Sequence, residues 1–475
     1  MRRSPWATLV VLALAQFIVV LDVTIVNVAL PNIQSDLDFT PDGLQWVISA
    51  YTLLFGGFLL LGGRAADLLG PRRLFIGGLL LFGVTSLIAG LAPNSESLIA
   101  ARAAQGLGGA LLSPAALALL TVTFPPGRER NIAMGVWGGL AGLGGTLGVV
   151  AGGLLVDTLD WRWVFLVNVP LVVALVAITP FFVRDVRHTA PGPRTFDLAG
   201  AVLSTSGLLA VVYGVVRAEH SGWGSAEVIG FLAGGVALLV AFVLVERRSA
   251  DPLVPMRLFG SRSLTTSSIT LGLNGAGFLS MFFLTAIYLQ QVRGDTALEA
   301  GLHFLPMGGA AIVAAVVASQ LVTRLGTRPV QLGGAVLSVA GLLVLTLVGT
   351  DDSYATGLLP GLVLFGAGII AVSVPGQINA VSEVANHEAG AASGLVSAVY
   401  QIGGALGLAV VTTLSLTHVT DQLTAGVAPQ QALVDGFHRG ILVAAAFAVV
   451  NIAVALSAPQ TTPDAEQLAE AAATA

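Results

Sequence analysis

Trp6-Ala-Thr-Leu-Val-Val-Leu-Ala-Leu-Ala-Gln16-Phe-Ile-Val-Val-Leu-Asp22-Val-Thr-Ile-Val-Asn27-Val-Ala-Leu30 is an apolar run with a single formal charge, Asp22. A bilayer crossing needs about 20 apolar residues, and this run exceeds that length. A secretory signal has a core of only about 7 to 15, and no small-x-small cleavage site follows cleanly. The run after Met1-Arg2-Arg3 therefore reads as an uncleaved first spanning helix. Similar stretches continue outward at 44–63, 74–92, 97–120, 132–156, 164–183, 198–216, 226–245, 264–291, 301–322, 330–349, 355–380, 390–416 and 438–457. The chain is thus expected to be an all-α membrane protein with 14 transmembrane helices.

Composition agrees. Of 475 residues, 55% are hydrophobic and 10% charged, against about 25% charged in a soluble protein. The mean hydropathy is +0.88. There is no cysteine, which excludes disulfides, thiolate metal sites and cysteine nucleophiles. All 21 basic residues are arginine, so a P-loop lysine, a Schiff-base lysine and a Ser-Lys dyad are excluded too. The six histidines are scattered without metal-ligand spacing, so no metal and no enzymatic centre is expected. A receptor or intramembrane enzyme is disfavoured, because no catalytic histidine pair or sizeable soluble domain is present.

Arginine placement orients the chain. Arg2, Arg3, Arg64, Arg72, Arg73, Arg128, Arg130, Arg184, Arg187, Arg194, Arg247, Arg248, Arg257, Arg262, Arg324 and Arg328 fall on the side of the N-terminus. Arg162, Arg217, Arg293 and Arg439 fall opposite, a bias that predicts both termini in the cytoplasm. The remaining arginine, Arg102, lies inside the fourth span, and Asp22 is the one acid inside a span. Their depths match to within about 6 Å.

A repeat is legible. Gly63-Arg-Ala-Ala-Asp67-Leu-Leu-Gly70-Pro-Arg72-Arg73, after the second span, recurs as Ser319-Gln-Leu-Val-Thr323-Arg324-Leu-Gly326-Thr-Arg328 after the tenth, with Thr323 in the place of the acid. The offset pairs spans one to six with nine to fourteen. It predicts a six-helix half at 1–190, an inserted helix pair with cytoplasmic linkers at 191–262, a second six-helix half at 263–458 and a tail at 459–475. Two such halves are the plan of a secondary transporter that handles substrate between them near the midplane.

Within that plan, Gly63, Asp67, Gly70, Arg72 and Arg73 form either a cytoplasmic gate or a positive-inside anchor. Arg102 and Gln105 share a polar face of the fourth span, where the arginine either finds a partner or snorkels. Glycines of the fifth span, including Gly148, Gly152 and Gly153, read as close packing or a hinge. Asn274, Phe278, Met281, Thr285 and Tyr288 form a polar-aromatic stripe on the ninth span, suited to amphiphilic molecules or to plain helix packing. With Gln16, Asn27 and Gln105, stripe members Asn274, Phe278, Met281 and Tyr288 make the candidate substrate cavity.

Asp22 is the candidate proton carrier. Burial disfavours its ionised form, a nearby Arg102 favours it, and a carboxylate switched between those settings moves a proton across the membrane. A purely structural Asp22–Arg102 pair is the alternative.

Several segments resemble the fourteen-spanner drug:proton antiporters (EmrB/QacA-like) of the major facilitator superfamily. They are Leu21-Asp22-Val-Thr-Ile-Val-Asn27-Val-Ala-Leu-Pro31, the Gly63 to Arg73 turn, Arg102-Ala-Ala-Gln105-Gly106, and Trp161-Arg-Trp-Val-Phe-Leu-Val-Asn168-Val-Pro170. The resemblance implies the major facilitator fold, with two six-helix halves plus two inserted helices. It also implies export of a small amphiphilic drug or antibiotic in exchange for protons, by alternating access, with no cofactor beyond the proton gradient. Export of an envelope lipid or its precursor on the same fold is the second reading. The expected setting is a bacterial cell membrane, with a monomer in contact with lipid, protons and substrate and with no nucleic acid. The family's fifth-span motif is Gly-Pro-x-x-Gly-Gly, and here it reads Gly148-Val149-Val150-Ala151-Gly152-Gly153, without the proline.

Proline frees a backbone carbonyl and bends a helix. Val149→Pro is therefore expected to leave the amount of folded protein unchanged, while Val156→Pro, outside the motif, reduces it. Fluorescence-detected size exclusion checks both, and equal loss from the two substitutions excludes a bend at Val149.

Overall fold

Helix starts are written in the chain as prolines and polar caps. Pro5, Pro41, Pro71 and Pro429 each open a long helix, where a missing N–H costs nothing. The side chains of Thr40, Asn94 and Ser225 accept from backbone amides three residues on, and Thr296 with Glu299 forms a reciprocal capping box. In the computed structural model residues 4–185, 197–249, 252, 254, 256–350, 352–384 and 388–459 are described. Arg2, Arg3, Arg187, Arg194 and nearly all of the expected tail lie outside them.

The elements in chain order are α1 Pro5–Asp36, α2 Pro41–Leu69, α3 Pro71–Gly90, α4 Ser95–Thr123, α5 Arg128–Thr158, the short α6 Trp163–Leu166, and α7 Asn168–Phe182. Then follow α8 Leu198–Ser221, α9 Ala226–Glu246, the short α10 Met256–Gly260, and α11 Arg262–Ile287 with a π-helical turn Tyr288–Val292. The chain ends with α12 Ala297–Leu325, α13 Thr327–Leu345, α14 Leu358–Ser382, α15 Ala389–Thr424 and α16 Pro429–Ser457. Among the described residues there is no strand. Among the described residues twelve spans are long and apolar enough to cross a membrane, against the fourteen expected from the sequence. α5 and α8 are the two expected spans outside that set, and they contribute the shorter apolar stretches Leu147–Thr158 and Ala199–Val215.

The chain divides into two compact units. Unit 1 comprises Met1–Pro125, Leu147–Ser261 and Glu383–Ala398, and unit 2 comprises Pro126–Thr146, Arg262–Ser382 and Val399–Ala475. The sequences of α5 and α15 are thus each shared between the units.

Unit 1 is assembled on glycines that let backbones touch. Gly106 of α4 faces the Tyr51 carbonyl of α2, and Gly78 of α3 faces the Leu112 amide of α4, where a Cβ would come within 2.9 Å of the nitrogen. Gly148 and Gly152 of α5 lie on Leu21, Thr24 and Ile25 of α1. Gly56 and Gly57 of α2 receive Val212 and Leu209 of α8, and Gly235 of α9 meets Val211 of α8, which attaches α8 and α9 to α2. Unit 2 repeats the device: Gly334 and Gly341 of α13 meet Ala371 and Phe365 of α14. The repeat read from the sequence has a backbone counterpart. Gly70 at φ +92° joins α2 to α3, and Gly326 at φ +83° joins α12 to α13, a region of φ open chiefly to glycine.

A Cβ on Gly106 strikes backbone, which cannot turn away, so Gly106→Ala is expected to destabilise the protein by about 1–3 kcal/mol. Gly77 of α3 has no atom within 4 Å of such a Cβ, and Gly77→Ala should leave thermal stability unchanged or raise it. Melting of the two variants in one detergent compares them directly.

Candidate functional site

Six elements of unit 1 converge on the pair formed by Asp22 and Arg102. α1 supplies the carboxylate; α4 supplies Arg102 and, one turn on, Gln105; α3 supplies Ser86; α2 supplies Val47 and Tyr51. The chain breaks between α6 and α7, and Asn168 begins the second piece fully buried. The guanidinium of Arg102 and the carboxylate of Asp22 form an ion pair at 2.6 Å, at 1% and 0% exposure. Arg102 therefore does not snorkel.

Its hydrogen bonds are shared widely. Arg102 Nη1 donates to Asp22 Oδ2 at 2.6 Å and to Gln105 Oε1 at 2.7 Å, and Nε donates to the Val47 carbonyl at 2.9 Å. The other carboxylate oxygen, Oδ1, accepts from Gln105 Nε2 at 2.8 Å and Asn168 Nδ2 at 2.9 Å. Ser86 Oγ accepts from both amides and donates to the Phe165 carbonyl at 2.9 Å. The guanidinium carbon lies 4.4 Å from the Tyr51 ring centroid and 5.6 Å from that of Phe165, so aromatic faces cover the cation. Apart from Asp22, Arg102 and Tyr51, the side chains in this network are not titratable. The arrangement holds one negative charge, with a single cation and otherwise neutral donors to answer it.

At the α2–α3 turn, Asp67 is buried and accepts from the backbone amides of Gly390 and Ala391, both at 2.9 Å. These amides belong to the first turn of α15, where a carboxylate is favoured by free N–H groups and the helix dipole. Gly63 lies against Gly390 and Gly394, a packing closed to side chains. Arg72 donates to the Pro180 carbonyl at 3.3 Å, and Arg73 is exposed. In unit 2 the matching residue, Thr323, accepts at 3.0 Å from Asn131 near the start of α5.

The remaining sequence candidates are distributed as follows. Gly148 and Gly152 touch the backbone of α1 next to Asp22, and Gly153 is buried. Gln16 has a buried Oε1 without a partner, while Asn27 is exposed and donates to the Val23 carbonyl of its own helix. In unit 2, Asn274 donates to Ser373 Oγ at 2.6 Å and to the Ile369 carbonyl, beside a small cavity also lined by Ser338, Phe365 and Asn451. Phe278 stacks on Phe282, Met281 is fully buried, and Tyr288 donates to the Gly349 carbonyl at 2.6 Å within the packed core of that unit. No group of histidine, aspartate and glutamate among the described residues could hold a metal. Ser86, Tyr51, Phe165 and Asn168 join the Asp22 network without having been singled out from sequence. Only Asn168 left a signal there, as an amide in the apolar stretch 163–170.

Comparison with known proteins bears on the family and the fold. The family model of the Major Facilitator Superfamily matches residues 12–408. The puromycin resistance protein pur8 of Streptomyces alboniger is 43% identical over 94% of this chain and 88% of its own length. The cephamycin export protein CmcT of Amycolatopsis lactamdurans is 40% identical over 87% of this chain and 86% of its own. The lincomycin resistance protein of Streptomyces lincolnensis is 37% identical over 87% and 85%. Among solved structures, the proton:xylose symporter XylE superposes with a TM-score of 0.66 at 13% identity, covering 98% of both chains. The human organic anion transporter MFSD10 also gives 0.66, at 16% identity, over 95% of this chain and 99% of that one. With an all-helical fold shared with both transporters and a family match across most of its length, the chain is a multi-pass transporter, not an enzyme, and belongs to the Major Facilitator Superfamily.

Proposed function

We propose that this protein is a proton-coupled exporter of a small amphiphilic drug or antibiotic, of the fourteen-spanner EmrB/QacA-like kind. The observation that carries the reading is the sealed Asp22–Arg102 pair, whose neutral companions leave Asp22 as the one carboxylate of the network. When Asp22 takes up a proton, Arg102 loses its counter-charge but keeps the Val47 carbonyl, Gln105 and two aromatic faces. The cation stays in place and drives the proton off again once the site faces the other side. A cationic substrate that competes for the carboxylate makes the exchange obligatory.

Relatives named for puromycin, cephamycin and lincomycin support an antibiotic-sized organic substrate. In this reading α5 and α8 also cross the bilayer. The even number of spans and the arginine bias then place both termini in the cytoplasm of a bacterial cell, and the monomer works in the lipid bilayer. The Asp67 contact with the first turn of α15 acts as the cytoplasmic gate, broken whenever the transporter opens inward. A two-state element of this kind is what alternating access requires.

Two experiments test the reading. In energised everted vesicles supplied with puromycin, lincomycin or a fluorescent cationic dye, Asp22→Asn should abolish uptake while leaving an expressed, substrate-binding protein. Asp22→Glu should keep part of the activity with a shifted pH optimum. Accumulation by Asp22→Asn against a gradient would mean that the proton travels elsewhere. At the gate, Asp67→Asn keeps the shape but removes a charge worth about 0.3–2 kcal/mol at a helix N-terminus. Transport should fall with insertion unchanged, and full activity would reduce the turn to a topology signal.

A further inference from the structure

The three side chains that donate to Asp22 differ in what holds them. Arg102 carries donors only. Gln105 has its orientation set by Arg102: its Oε1 accepts from the guanidinium at 2.7 Å, and turning the amide over would press an NH2 group against a cation. Asn168 is held on one side alone. Its Nδ2 donates to Asp22 Oδ1 at 2.9 Å and to Ser86 Oγ at 3.2 Å, while its Oδ1 is buried with no hydrogen-bond partner. Only the negative charge of Asp22 and the lone pair of Ser86 fix which way this amide points.

Protonation removes that charge. The proton enters on Oδ1, since Oδ2 is engaged by Arg102, and the new O–H then needs an acceptor. Ser86 does not serve, because its own hydroxyl proton goes to the Phe165 carbonyl and it already accepts from two amides. We infer that Asn168 is a positioning residue that turns its amide over with the protonation state of Asp22, donating to the carboxylate and accepting from the acid. The half-turn about Cβ–Cγ exchanges one unpartnered amide atom for the other, gives up the long bond to Ser86 Oγ and in return supplies the acid with its acceptor. The single bond formed is the O–H on Asp22, the proton stays there, and Asn168 remains neutral. Other groups near the carboxylate do not compete for this part. Arg102 of α4 and Tyr51 of α2 are the titratable side chains in the network, α3 and α7 bring only Ser86 and Asn168, and α5 meets α1 here through glycines.

This inference rests on Asp22 being the proton carrier, and infrared difference spectroscopy separates the two claims. The probe is the proton: full-length protein in lipid nanodiscs, with ¹³C in the asparagine side-chain carbonyls, is moved between alkaline and acid buffer. The expected result is a carboxylic-acid band absent from Asp22→Asn, together with a downward shift of one labelled amide carbonyl as its oxygen gains a hydrogen bond. That shift should vanish in Asp22→Asn and in Asn168→Val. In Asn168→Val the acid band should also move upward, toward an acid without an acceptor. Asn168→Thr, of the same shape as valine but with a hydroxyl, should bring it back. An Asp22 acid band that forms with no change in the labelled amides of the unsubstituted protein overturns the inference and leaves the proton carrier standing, whether or not the variants fold. If no Asp22 band forms at all, both claims fall.

Discussion

A carboxylate and a guanidinium sealed among apolar helices must bring their hydrogen-bond partners with them, and unit 1 is arranged around that requirement. An unpaired charge there would cost several kcal/mol, whereas a paired one contributes little more than well-packed apolar residues would. Stability alone is therefore a weak reason for Asp22 and Arg102. Their neighbours explain how the pair is sustained: a backbone carbonyl from α2, two amides, a hydroxyl and two aromatic faces. They arrive on α2, α3, α4, α6 and α7, so with α1 the pair constrains where six elements must meet.

The glycines are the means of that meeting. Gly106 follows Gln105 directly, and it allows α2 to come close enough for the Tyr51 ring to lie over Arg102. Gly148 and Gly152 bring α5 onto the stretch of α1 that holds Asp22. In a bilayer, where lipid tails offer helices no hydrophobic reason to associate, close backbone packing of this kind is a principal source of cohesion. The polar network and the glycine contacts are consequently two descriptions of one construction.

The two units share a turn and divide the chemistry unequally. Gly70 and Gly326 turn the chain in the same left-handed conformation, yet the residue one turn earlier is Asp67 in one half and Thr323 in the other. Asp67 binds two helix amides with its full charge; Thr323 accepts one bond from Asn131. The interior follows the same rule. Where unit 1 buries an ion pair, unit 2 uses Asn274 with Ser373 and Gln331 with Thr270. These two pairs in unit 2 are neutral side chains joined by hydrogen bonds, whereas the corresponding burial in unit 1 is of charge.

Twelve of the fourteen expected spans, the paired turn glycines Gly70 and Gly326, and the isolation of Asp22 and Arg102 were legible in the linear chain because they depend on local quantities: apolar length, turn chemistry and the cost of charge in a bilayer. The same quantities marked the Gly63–Arg73 turn and the glycine run before Gly153. They could not say which residues complete the site. Ser86, Tyr51 and Phe165 look like any hydroxyl or aromatic in an apolar helix, and they matter because α2, α3 and α6 bring them to Arg102 and Gln105. The ninth-span stripe shows the reverse. Met281 and Tyr288 have helical spacing suited to a cavity, and packing sets them in the core of unit 2. Spacing along one helix defines a face; the neighbour that covers it is chosen by the fold, and here that choice decided which polar groups meet the buried charge.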